Sequence, residues 1–278
     1  MTHTALRRHT LRTVVAIALH TLAAVTATAQ CPIQNTAFSA GEDLQYQLYF
    51  NWKFIWLKAG TANLNISRTN YKGQQAYRCH LITRGSDRTD KYFMLRDTLL
   101  SYLTPDLVPL YYRKGAFEGK RYNVDEVHYS YADGQTHLDQ RYINPKGEVR
   151  TRRHDSAECV FDMVSMLMRA RSFDPTAFSE GQHIEFLMAD GDDVARETLI
   201  YRGRKRFKME DSNVTYRCLV FSFVEYEGKK EKDIVTFYVT DDANHMPVRL
   251  DLYLKFGTAK AYLSRATGLR NAQTSIVR

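Results

Sequence analysis

A set of marks that appears twice, in one order and at matching distances, constrains this chain most. Tyr77-Arg78-Cys79 is answered by Tyr216-Arg217-Cys218. Gly41 lies 38 residues before Cys79, and Gly181 lies 37 before Cys218. Pro109 follows Cys79 by 30 residues, and Pro247 follows Cys218 by 29. Recurrence at matched spacing signals one supersecondary unit used twice. The chain is therefore expected to hold two related lobes.

What fills each interval reads as strand. Leu44, Tyr46, Leu48 and Phe50 alternate with Asp43, Gln45, Gln47 and Tyr49, which is the two-residue period of a half-buried strand. Ala62, Leu64 and Ile66 repeat that period, and turn residues punctuate the runs at Ala132-Asp133-Gly134, Asn144-Pro145-Lys146-Gly147 and Gly203-Arg204-Lys205-Arg206. The 18 Tyr and 14 Phe suit a pleated surface. One helix is expected over 155–171, with Asp155 and Glu158 as a capping box and Val160, Met163, Val164 and Leu167 at helical spacing. Its methionines, Met163, Met166 and Met168, serve either as core or as an adaptable ligand-contacting surface. The expected fold is mainly β: a large antiparallel curled sheet, a barrel or half-barrel, built from two pseudo-repeated lobes joined by a helix. The divisions are a first β lobe at 38–150, a linking helix at 155–175, a second β lobe at 181–267 and a polar, frayed tail at 268–278.

The first 29 residues read as a signal peptide: Arg7, Arg8 and Arg12 precede an apolar run from Thr13 to Val25, and Ala27-Thr28-Ala29 offers a small-x-small cleavage site. No later segment has eighteen consecutive apolar residues, so no transmembrane span is expected after cleavage. The chain is expected to be exported to the periplasm or cell envelope of a Gram-negative bacterium. Cys31 follows the segment as an acylated cysteine would, but Gln30 stands where a lipoprotein site takes a small residue. Removing the three signal arginines lowers the formal charge from +8 to +5. That mild balance, in an exported protein, excludes nucleic acid as a partner and leaves a lipid, a glycan or an envelope protein.

Gly41-Glu42-x-Leu44-x-Tyr46, the run Lys58-Ala59-Gly60-Thr61-Ala62, the corner Leu107-Val108-Pro109-Leu110 and Asp162-x-x-Ser165 together resemble the exported bacterial family catalogued as domain of unknown function 3108. The likeness spans about residues 38 to 267. It implies an exported envelope protein with mainly antiparallel β architecture, and it brings no catalytic residues.

The residues themselves point the same way. There is no G-x-S-x-G, no H-E-x-x-H and no Gly-rich phosphate loop after a strand. No catalytic residue, cofactor or metal is assigned. Asp190-Gly191-Asp192-Asp193 lacks the spacing of a calcium loop and reads as a solvated turn. The cations between Arg202 and Lys208 read as a charged hairpin that discourages edge pairing. Tyr49, Trp52 and Trp56, in an aromatic cluster with Phe50 and Phe54, are the candidate ligand contacts. Cys79 and Cys218 occupy matching repeat positions and are either a disulfide across a pseudo-twofold axis or two buried thiols. The expected function is a non-catalytic binding module for an apolar or amphipathic ligand, a glycan or a protein partner. The alternative is a hydrolase acting on an envelope polymer, with carboxylates on the concave face.

Overall fold

The computed structural model describes residues 31–52, 55–209, 213–254 and 257–277; the expected signal peptide lies outside the described residues. The alternating runs form β1 (Asp43–Trp52), β2 (Ile55–Tyr71) and β3 (Gln74–Gly85), then a single helical turn, α1 (Asp87–Asp90). β4 (Leu95–Leu103), β5 (Pro109–Glu118), β6 (Arg121–Ala132), β7 (Gln135–Ile143) and β8 (Val149–Ser156) follow. A short β9 (Val160–Phe161) leads into α2 (Met163–Ala170). The second half is β10 (His183–Asp190), β11 (Asp193–Lys208), β12 (Thr215–Glu227), β13 (Lys230–Thr240), β14 (Pro247–Leu254) and β15 (Gly257–Thr267), with β16 (Ile276–Val277) at the end.

Fifteen strands join edge to edge, β8 through β1, then β15 back down to β9, in a nearly closed, barrel-shaped sheet. All these pairings are antiparallel except β9 with β10. The halves are fused where β1 pairs with β15, Tyr46 standing opposite Leu263, so the two lobes share one sheet. Side chains from one edge reach the β10–β11 turn of the other half. Gln140 on β7 donates to the Asp193 carbonyl at 2.9 Å, and Arg152 and Arg150 on β8 reach Asp193 and Asp192 at 3.3 and 3.5 Å. The acidic turn read as solvated is therefore engaged by arginines along the seam.

The doubled marks correspond to doubled hydrogen bonds. Gly41 and Gly181, both at positive φ (100° and 85°), a region open to glycine, donate to the carbonyls of Ile66 and Tyr201 at 2.8 and 2.7 Å. At the other corner Thr104 and Thr240 accept on their hydroxyls from Val108 and Met246 at 3.0 and 2.8 Å. In both halves the unit is three strands, a fourth, a Pro-marked corner and a fifth.

The cysteines do not share this equivalence. Cys79 and Cys218 lie on the matching third strands, β3 and β12. But Ile66 stands opposite Cys79, whereas its counterpart Tyr201 stands opposite Phe221. The Tyr-Arg-Cys match is thus three residues out of structural register. Both thiols are free and buried, so of the two alternatives the Cys79–Cys218 bond is corrected and the pair of buried thiols is what occurs. The disulfide joins Cys31 to Cys159, with a Cα separation of 5.4 Å.

Three further expectations are corrected. The 155–171 segment is not one helix: β8 runs through Asp155 to Ser156, and the capping box is Asp162 with Ser165, not Asp155 with Glu158. The supposed turn at 203–206 is a bulge in continuous β11, because Gly203 at φ 82° shifts the register without reversing the chain. The tail is not frayed: β16 pairs with β12, and Asn271 donates to Asn244 Oδ1 at 2.9 Å.

Candidate functional site

The helix α2 organises the buried interior. Its side chains divide by helical spacing into two apolar faces. Val164 and Met168, four apart, enter the main core with Leu44, Ile66, Cys79 and Leu138. Met163, Met166, Leu167 and Ala170, at i, i+3, i+4 and i+7, face the strands of the second half. A helix apolar on both sides has to be buried, and this one is anchored at each end.

At its start, Asp162 is fully buried. Its carboxylate accepts from the backbone of Ser165 and Val164 at 2.8 and 3.0 Å and from Ser101 Oγ of β4 at 3.2 Å. Burial pushes its carboxyl up to about 6, against these bonds, which favour the charged form. At its end, Arg171 is 1% exposed and Glu42 is 0% exposed. The guanidinium makes a two-pronged pair with Glu42 at 2.6 and 3.0 Å, donates to the Asn244 carbonyl and lies over the Phe38 ring. One side chain therefore ties the helix to the entry of β1 and to the 241–247 corner. The Cys31–Cys159 bond and a 2.5 Å bond from Arg169 to the Cys31 carbonyl draw the start of the described chain alongside the helix.

Between the second face of α2 and the sheet lies an apolar cavity of about 190 Å³. The sheet side is Phe186 and Met188 of β10, Leu199 of β11, Phe221 and Phe223 of β12, and Val235 and Phe237 of β13. These residues alternate along their strands, as positions on one face do, and Ile234 joins the lining beside Val235 at the β12–β13 register shift. Met163, almost half exposed at 47%, marks where the cavity reaches the surface. Arg171 also borders it, but its guanidinium nitrogens are committed to Glu42 and Asn244. Among the described residues, the lining includes no Asp, Glu or His. An engineered apolar cavity of about 150 Å³ takes up benzene, so this space suits one aromatic ring or a short alkyl segment. The methionines let its walls adapt.

The sequence-assigned contacts lie elsewhere. Trp56 is 40% exposed on the β1–β2 hairpin, with the Lys260 ammonium 4.3 Å from its ring centre. Tyr49 packs edge-on to Tyr262 at 5.7 Å. Trp52 ends β1, and Phe54 lies outside the described residues. Neither Tyr49 nor Trp56 lines the cavity. Met163 and Met166 do, while Met168 is core. The cavity strands were legible as strands, but not as neighbours of the helix, since that juxtaposition needs the sheet to curl.

Carboxylates with perturbed titration stand apart from the cavity. Burial pushes Asp97 up to about 6, with Glu118 adding to the shift. Burial likewise raises Asp125 and Glu197. No group of three or more His, Cys, Asp or Glu able to hold a metal occurs among the described residues. Arg202 pairs with Glu231 and Asp233, and Arg204 with Asp241, so part of the basic run is neutralised within the fold.

Comparison with solved structures finds similarity to the crystal structure of a beta-barrel-like protein of domain of unknown function DUF1849 from Brucella abortus. The TM-score is 0.51 at 12% identity, covering 83% of this chain and 98% of that one. At such identity the likeness bears on the fold alone. No curated protein matches the sequence. The profile described as "Protein of unknown function (DUF3108)" matches residues 45–264, a span that runs from β1 to β15 and includes α2 and the cavity. The chain belongs to the DUF3108 family.

Proposed function

We propose that this protein is an exported, non-catalytic binding module of the cell envelope, and that its ligand places an apolar end in the cavity between α2 and β10–β13. The observation that carries the reading is the lining. A partly open space walled by Met, Phe, Leu and Val, on a helix fixed at both ends, offers a preformed site for an apolar group. Its size fits the tail end or ring of an amphipathic molecule, whose polar part would lie outside near Met163. Export is supported by the basic and apolar pattern of residues 1–29 and by the Cys31–Cys159 bond, since structural disulfides form in oxidising compartments. A Cys31 sulfur held in that bond cannot also carry a lipid thioether.

The hydrolase alternative gains nothing from the cavity, whose lining supplies no general acid, base or carboxylate nucleophile. The reading is tested by native mass spectrometry and lipid extraction of protein purified from an envelope fraction. A co-purifying amphipathic molecule, displaced by an apolar competitor, is the expected result. A protein that carries none and takes up none from a panel of fatty acids, phospholipids and short envelope glycans would refute it.

A further inference from the structure

The exposed large apolar side chains gather at one end of the barrel. Strand direction alternates around the sheet, so the β14–β15, β1–β2, β3–β4 and β5–β6 connections are adjacent and lie at the same end. Each carries apolar groups into solvent: Tyr253 and Leu254; Ile55 and Trp56; Tyr92, Phe93 and Met94; and Tyr122. Tyr92 is 91% exposed. At the opposite end, among the described residues, only Tyr131 and Ile276 are comparable, each 37% exposed.

These connections are held together as a unit. Gly119 donates to the Met94 carbonyl at 2.7 Å, and Ser86 donates to the Ala59 carbonyl at 2.8 Å. The Lys260 ammonium over Trp56 links the β1–β2 and β14–β15 hairpins. Cations are interleaved with the apolar groups: Lys58, Arg88, Lys91, Lys120 and Arg121 are all exposed. The nearby acids are fewer, Asp87, Asp90 and Glu118, and Asp90 is paired with Arg96.

This combination distinguishes between kinds of partner. The cores of protein interfaces are depleted in lysine, whereas here Lys58, Lys91 and Lys120 stand exposed among the apolar tips. Tyr and Trp favour the headgroup level of a bilayer, and Lys and Arg are drawn to its anionic phosphates. Four neighbouring connections on one sheet also present a broad face, which suits an extended surface better than a groove-shaped partner. We propose that this end of the barrel docks onto an anionic lipid surface, the aromatic and aliphatic tips entering the interface and the cations meeting phosphates. The proposal does not depend on the cavity having a ligand.

The chain has only two tryptophans, Trp52 and Trp56, both in the β1–β2 hairpin. In the full chain carrying Trp52→Phe, Trp56 is the sole indole, and no indole lies in the first 29 residues to confuse the signal. Emission is recorded with phosphatidylcholine vesicles, with and without one-quarter phosphatidylglycerol, and with brominated acyl chains as quenchers. The expected result is a blue shift and quenching on the anionic vesicles, weakened by salt. In the same background, Tyr92→Ser with Phe93→Ser lowers partitioning about tenfold, and Lys120→Ala lowers it about fivefold on anionic vesicles only. Circular dichroism checks that these exposed positions leave the sheet intact. Trp56 emission indifferent to both vesicle types overturns the proposal. So does unaltered partitioning of the rim variants, or self-association that accounts for any spectral change.

Discussion

Asp162 and Arg171 show how individual side chains set the terms for the interior. Asp162 spends its oxygens on capping α2 and on Ser101, and burial raises its pKa from 3.8 to about 6. A carboxyl whose folded pKa is raised binds more protons in the folded than in the unfolded state, so its contribution to stability falls as pH rises through that interval. Asp162→Asn does not titrate. Urea melts of both proteins should therefore show the stability difference moving in favour of the Asn variant by up to about 3 kcal/mol between about pH 4 and about pH 7. A difference that stays constant with pH would contradict this. Arg171 and Glu42 form a buried pair, where removing one partner strands the other charge. Arg171→Met alone should cost about 3–5 kcal/mol in urea unfolding, and adding Glu42→Leu should recover much of that loss. A single variant within about 1 kcal/mol of wild type would show that the pair is not what holds the helix end.

At the level of elements, α2 and its tethers decide where the cavity can form. The Cys31–Cys159 bond spans 128 residues and fixes the segment beside the helix before β9 begins. Reduction, or Cys159→Ser, should lower stability by about 2–5 kcal/mol. It should also speed proteolysis ahead of Phe38, read by mass spectrometry of the cleavage products; unchanged stability and cleavage would mean the bond is dispensable. Element type was largely legible in the sequence, because period-two alternation and turn residues act locally. The failures share a cause. Apolar residues from Val160 to Leu167 fit a helical period, yet Val160 and Phe161 pair with Leu187 and Met188 of β10, a contact with no local signature. Gly203 carries turn chemistry but sits in a bulge, because β12 is available on both sides of it to keep pairing. The tail looks polar and loose, yet its backbone meets Asp242, Asn244 and Arg217. Each error came from an interaction between residues remote in sequence.

For the whole molecule, the repeated marks proved the most informative signal. They pointed to two related lobes and a large antiparallel sheet, and a sheet of that kind is what forms. They misled only over the cysteines, where chance similarity of three residues outweighed the hydrogen-bond frame that places Phe221 opposite Tyr201. The cavity was not legible, since it is made by laying the Met163–Ala170 face against strands that begin only at His183. The sheet's two ends differ in character, one bearing apolar tips and cations, and the cavity lies between α2 and one quarter of the wall. The cavity lining and the apolar tips share no residue, so on the proposed reading a ligand and a lipid surface would engage different parts of the sheet. Ala170 is the point to test this, because it is small, half-buried and on the cavity wall. Titration with a fluorescent apolar probe such as N-phenylnaphthylamine should give saturable enhancement in the wild type. Binding should be at least about tenfold weaker in Ala170→Phe, with an unchanged melting profile. Equal binding by the two proteins, or no saturable binding by either, would contradict the claim that this cavity is the ligand site.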